Sequence, residues 1–219
     1  MATALAKAIE RLDVRYGART VAPATAAAER AARRRFATGT PFDRLAGGLA
    51  PGSVSALTGE GTCGKVSLAL RAVRGAQHAG GMALWVDGAA SFDALAARRA
   101  EVDLARLIVV RARSADEIVV AAGAALRSEG FRVVVVDLGP PFAQAASPDQ
   151  LAPLLPSARG STSALVIVSD TPARRVALPT FVFERVGWER RHGRTAGWTY
   201  AVRKLADAQD ERVVMAEAV

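Results

Sequence analysis

The chain has 219 residues, 51% hydrophobic and 23% charged, with a net charge of +8. This length suits one well-packed core, the composition is that of a globular protein rather than a membrane protein, and no apolar run approaches the roughly 20 residues of a membrane-spanning helix. One cysteine, Cys63, and two distant histidines, His78 and His192, exclude an internal disulfide and a cysteine-cluster metal site, so no metal centre is expected. The first residues lack the basic, apolar, small-residue order of a secretion signal, and a cytoplasmic location is expected. Charge is unevenly spread: residues 1–35 hold 8 basic and 3 acidic groups, 36–173 hold 12 of each, 174–204 hold 8 against 2, and 205–219 hold 1 against 4. The two basic segments would attract nucleic-acid phosphates or an acidic partner. An arginine-rich coding bias on solvated surfaces accounts for them equally well, and 26 of the 29 basic residues are arginine.

In chain order, Leu5, Ala8, Ile9 and Leu12 recur at helical spacing and predict an amphipathic helix over 4–16, closed at Gly17. An alanine- and arginine-rich linker follows to residue 35 and includes Arg33, Arg34 and Arg35. A turn-rich stretch then leads to a strand over 53–58, a glycine loop and a helix over 65–77. Further strands are predicted over 82–87, 107–110, 133–137 and 164–169, with helices over 92–100, 114–127 and 148–155. Strands that alternate with helices imply a parallel sheet, and the run Val133–Val136 suits a strand buried on both faces. The segments 180–185 and 199–203 predict a hairpin extension of that sheet. Residues 205–219 are acidic, weakly patterned and expected to form a frayed tail. The expected domains are therefore 1–35, a core over 36–204, and that tail.

Gly59, Glu60, Gly61, Thr62, Cys63, Gly64 and Lys65 have the G-x-x-x-x-G-K spacing of a phosphate-binding loop, set between a predicted strand and helix. Glycines there let backbone N–H groups wrap a phosphate, and Lys65 would reach its outer oxygens. The next position should bear a hydroxyl for magnesium, but Val66 occupies it and Ser67 comes one place too late. Asp137, closing its strand, is the expected magnesium-holding carboxylate. Taken alone it reads as an ordinary strand end.

The segment FATGTPFDRLAGGLAPGSVSALTGEGTCGK resembles the stretch leading into the phosphate loop of RecA and RadA proteins, and ALWVDGAASFDALAARRAEVDLARLIVV is similar to their second strand and its sequel. The resemblance implies a RecA-like α/β core with a mainly parallel sheet flanked by helices and an N-terminal packing helix, to which the predicted C-terminal antiparallel hairpin is an extension. It implies that the residue after Gly88 should be the glutamate that activates the attacking water. Ala89 stands there and can neither take a proton nor orient a water. Ser169 and Asp170 stand where the family places a γ-phosphate-sensing glutamine, and TPARRVALPT replaces a long glycine-rich DNA-binding loop.

Among these relatives the chain most resembles the ImuA accessory factors of damage-induced mutagenesis, in part through LPTFVFERVGWERRHGRTAGWTYAVRK. That resemblance implies an ImuB-like inactive Y-family polymerase homologue, an error-prone replicative-type polymerase and RecA as partners. The expected function is then a non-enzymatic adaptor in translesion synthesis under the SOS response, with Leu5, Ile9 and Leu12 docking on RecA or folding back on their own core. No cofactor is required on this reading, and the capacity for ATP with magnesium is doubtful. An active DNA-dependent ATPase is a second reading, which Val66 and Ala89 oppose. A DNA-binding module using Arg33, Arg34, Arg35, Arg174 and Arg175 is a third. Trp188 and Trp198 would stack on bases in that case, although sheet packing is the commoner role of such a pair. Trp85 reads as core, and Cys63 as a small residue fitting a tight turn or a thiol activated by loop N–H groups.

Overall fold

Four segments, 54–58, 82–87, 131–137 and 164–169, carry mostly apolar residues that a single sheet buries. In the computed structural model, which describes residues 35–139, 148–205 and 212–218, eight strands lie in the order β3-β2-β4-β5-β1-β6-β7-β8. These are β1 (Val54–Thr58), β2 (Met82–Asp87), β3 (Leu107–Arg111), β4 (Phe131–Asp137), β5 (Ala164–Ser169), β6 (Thr180–Arg191), β7 (Arg194–Lys204) and β8 (Arg212–Ala218). The first six run parallel, whereas β7 and β8 are antiparallel to their neighbours. Among the described residues no helix is long and apolar enough to cross a membrane.

Side-chain alternation along the strands splits the core into two layers. Val133 and Val135 of β4 face a cluster with Trp85, Leu68 and Phe181, while Val134 and Val136 face one with Ile118, Leu126 and Leu154. The first layer is covered by α1 (Phe42–Ala46), α2 (Lys65–His78) and α3 (Ala94–Arg99). The second is covered by α4 (Ala115–Ser128) and α5 (Leu154–Gly160). Trp85 is core as expected, with 1% of its surface exposed.

Helix starts follow local capping chemistry. The Ser114 hydroxyl accepts the Glu117 N–H at 3.2 Å, and the Glu117 carboxylate accepts the Arg113 N–H at 2.8 Å, which opens α4. The Asp93 carboxylate accepts the N–H groups of Leu95 and Ala96, so α3 starts at Ala94 rather than 92. The helix predicted over 148–155 is instead a 3₁₀ turn, Pro148–Leu151, followed by α5. Pro153 caps α5, where its missing N–H costs nothing.

The hairpin is longer than the sequence suggested, because residues read as its loop belong to its strands. Only His192 and Gly193 turn, with φ of 51° and 76°, the left-handed pair that a tight two-residue hairpin requires. The expected frayed tail contains β8, in which Val213 and Met215 are buried and Val214 is exposed. That alternation anchors one face of β8 on the core, and residues 212–218 are a paired strand rather than a loose end. The N-terminal helix with Leu5, Ile9 and Leu12, and also Arg33 and Arg34, lies outside the described residues.

Candidate functional site: the loop around Lys65

Strand β1 ends at Thr58, the loop Gly59–Gly64 follows at the C-terminal ends of the parallel strands, and α2 starts at Lys65, as the motif spacing requires. Glu60, Gly61 and Thr62 are exposed, whereas Gly59, Cys63, Gly64 and Lys65 are buried. The Lys65 ammonium donates to Gly59 O at 2.7 Å and to Gly61 O at 2.9 Å, and lies 2.8 Å from Asp170 Oδ1. The two carbonyls accept hydrogen bonds from the ammonium, and the Asp170 carboxylate supplies the opposite charge at ion-pair distance. Cys63 Sγ lies 4.0 Å from the same nitrogen, and the side chain is packed away from solvent, in keeping with a small residue filling a tight turn.

Val66 sits in the first turn of α2 with 40% of its surface exposed, and its side chain offers no oxygen. Ser67 follows on the next helical position and is partly exposed. Asp137 ends β4 in register with Asp87 at the end of β2. Burial pushes the Asp137 pKa up to about 6. The Gly139 N–H, donating at 3.2 Å, pulls it down, the Asp87 charge raises it, Lys65 lowers it and Asp170 raises it. Asp87 itself is fully buried, and it accepts the N–H groups of Ser91 and Phe92. It thereby holds the turn that carries Ala89. Ala89 is 4% exposed and packs on Gly139, since a Cβ built on Gly139 would lie 2.4 Å from that of Ala89.

The hairpin backs the loop. A Cβ on Gly59 would lie 2.5 Å from Phe183 O, and one on Gly64 would lie 2.7 Å from the Tyr200 ring. Phe183 and Tyr200 stack with centroids 5.9 Å apart, and Arg185 donates to Thr62 O at 3.3 Å. Farther out, Arg185 lies 4.7 Å over the Trp188 ring, and Trp188 meets Trp198 edge-on at 6.1 Å. Trp198 packs against the core while Trp188 is 49% exposed, so the two tryptophans divide between sheet packing and surface. A cleft of about 620 Å³ opens beside the loop, bordered by Glu60, Asp170, Glu184, Arg185 and Arg203.

Arg174 and Arg175 are exposed on the connection from β5 to β6, and Arg35 is exposed as well. The Asp149 carboxylate accepts the backbone N–H groups of Arg174, Arg175 and Val176, at 2.7 Å for Arg175, which leaves both guanidinium groups at the surface. Those same N–H groups hold the Asp149 carboxyl below its usual range. Sequence reasoning missed the roles of Asp149, Asp170, Phe183 and Tyr200. Only the alternation Phe181, Phe183 hinted at a buried face behind the loop.

Residues 3–146 match the RecA N-terminal domain family. The chain is 34% identical to Protein RecA of Chloroherpeton thalassium over 91 residues, 42% of this chain and 26% of that protein. It is 31% identical to Protein RecA of Roseiflexus castenholzii over 137 residues, 61% of this chain and 39% of that protein. Each match thus spans well under half of the relative's own length. With the parallel sheet, the phosphate-loop spacing ahead of α2 and a family match over most of its residues, the chain belongs to the RecA N-terminal domain family.

Proposed function

We propose that this chain is a non-enzymatic RecA-like accessory protein of DNA damage tolerance, acting in translesion synthesis of the ImuA kind. The observation that carries the reading is the pair Val66 and Ala89. A nucleotide-bound magnesium takes a hydroxyl at the first position, and an attacking water takes a carboxylate at the second. Neither side chain has an oxygen, so the first offers no ligand to a metal and the second no base to a water. The RecA-type surface then serves protein partners: RecA, an ImuB-like inactive polymerase homologue and an error-prone replicative-type polymerase. The test is ATP turnover on single-stranded DNA, by this chain alone and by RecA with this chain titrated in. The expected outcome is no turnover alone, no difference for Lys65→Ala, and a fall in RecA turnover. DNA-stimulated turnover that Lys65→Ala abolishes would replace this reading with an active ATPase.

A second reading, compatible with the first, is contact with nucleic acid. Arg185 stacked on the half-exposed Trp188 favours it, because a cation and an aromatic face together suit a phosphate and a base.

A further inference from the structure

We propose that Asp170 is a built-in counter-anion that occupies the phosphate-binding lysine and keeps the loop closed to polyphosphate ligands. This deepens the reading above by naming what holds Lys65.

Sheet register places the carboxylate. Ser169, the last residue of β5, pairs with Thr58, the last residue of β1, and the Gly59 N–H donates to Ser169 O at 3.3 Å. The Ser169 hydroxyl donates to Thr171 O at 2.7 Å and fixes the turn that presents Asp170 to the loop. The first residue past β5 therefore always lies beside the first residue of the phosphate loop. Its carboxylate sits 2.8 Å from an ammonium that is only 6% exposed at its side chain. With Gly59 O and Gly61 O accepting two of its hydrogen bonds and Asp170 balancing its charge, Lys65 is already engaged when an anion arrives.

A ligand phosphate must therefore displace a carboxylate whose charge already compensates a buried cation. Separating such a pair without replacement is costly, because each charge is then left uncompensated out of water. Removing the carboxylate reverses the balance, leaving a desolvated ammonium that gains from any anion reaching it. A route exists: Asp170 is 22% exposed and borders the 620 Å³ cleft, so an anion arriving there meets the pair directly. Because Val66 supplies no metal ligand, the opened site takes its anion without magnesium.

The test is calorimetric titration of inorganic tripolyphosphate and of ATP, each with and without magnesium, into the whole chain and its Asp170→Asn, Asp170→Ser and Asp170→Asn/Lys65→Met variants. Circular dichroism checks that each is folded. Weak binding is expected for the unaltered chain. Asp170→Asn and Asp170→Ser are expected to bind tripolyphosphate at least about tenfold more tightly without magnesium, and Lys65→Met to remove that gain. Folded single variants with unchanged or weaker affinity overturn the proposal. So does tight, magnesium-free binding by the unaltered chain, a measurement that requires no variant to fold. Nucleotide turnover by the unaltered chain would instead overturn the accessory reading, so the two failures are distinguishable.

Discussion

At the end of β4 the Asp137 carboxylate is 3% exposed and accepts a hydrogen bond from Gly139. Burial raises its pKa from 3.8 to about 6. Between these values the folded chain holds a proton that the unfolded chain releases, so stability is greatest below the lower one and is lost as pH rises through the upper one. The loss amounts to about 3 kcal/mol once the group is ionised, at about 1.4 kcal/mol per unit. Asp137→Asn removes that cost, and urea unfolding is expected to show the variant more stable than the parent at about pH 8, with the difference shrinking towards about pH 4. A variant less stable at the higher pH would mean that attraction to Lys65 outweighs burial. Beside Asp137, Asp87 fastens the turn over 88–92, and Asp170 faces Lys65.

The strand, loop and helix unit was legible as an element because every requirement lies within one short segment: buried strand residues, glycines at the bend and Lys65 opening α2. The packing behind the loop was not legible, since Phe183 and Tyr200 arrive from a hairpin far along the chain. Two glycines separate these causes. Gly61 has a φ of 57° and nothing within 4 Å of a built Cβ, whereas Gly64 has a φ of 94° and the Tyr200 ring 2.7 Å away. Gly61→Ala is expected to cost about 1 kcal/mol of stability, the backbone contribution alone. Gly64→Ala adds overpacking and is expected to cost about 3 kcal/mol or more. Equal midpoints for the two variants in urea unfolding would show that Tyr200 yields to the methyl group. The hairpin itself was underestimated for a related reason. His192 and Gly193 suffice to reverse the chain, but the charged residues around them mimic a loop in composition while they alternate across a strand pair.

Across the whole molecule, charge follows the fold. Residues 174–204 hold 8 basic groups against 2 acidic, and all eight lie on the hairpin or on the connection clasped by Asp149. If this surface meets nucleic acid as the second reading holds, affinity for a single-stranded oligonucleotide should fall steeply with salt through release of counterions. Trp188→Ala should then lower affinity by roughly tenfold without changing the salt slope, because stacking is worth ~1–3 kcal/mol per base and carries no charge. Fluorescence anisotropy across a salt series checks both, and an affinity indifferent to salt and to Trp188 would assign the hairpin to packing.

The sequence by itself determined the parallel core, the phosphate loop and the oxygen-free positions Val66 and Ala89, because strand burial, turn chemistry and side-chain identity are local properties. It also carried enough of the RecA pattern to indicate the family. Only the tertiary structure decided that Asp170 faces Lys65, that Asp149 clasps the backbone of Arg174 and Arg175, that Tyr200 lies behind Gly64, and that β8 closes the sheet. These pairings join distant segments, and they are fixed by strand order and register rather than by any periodicity within one segment.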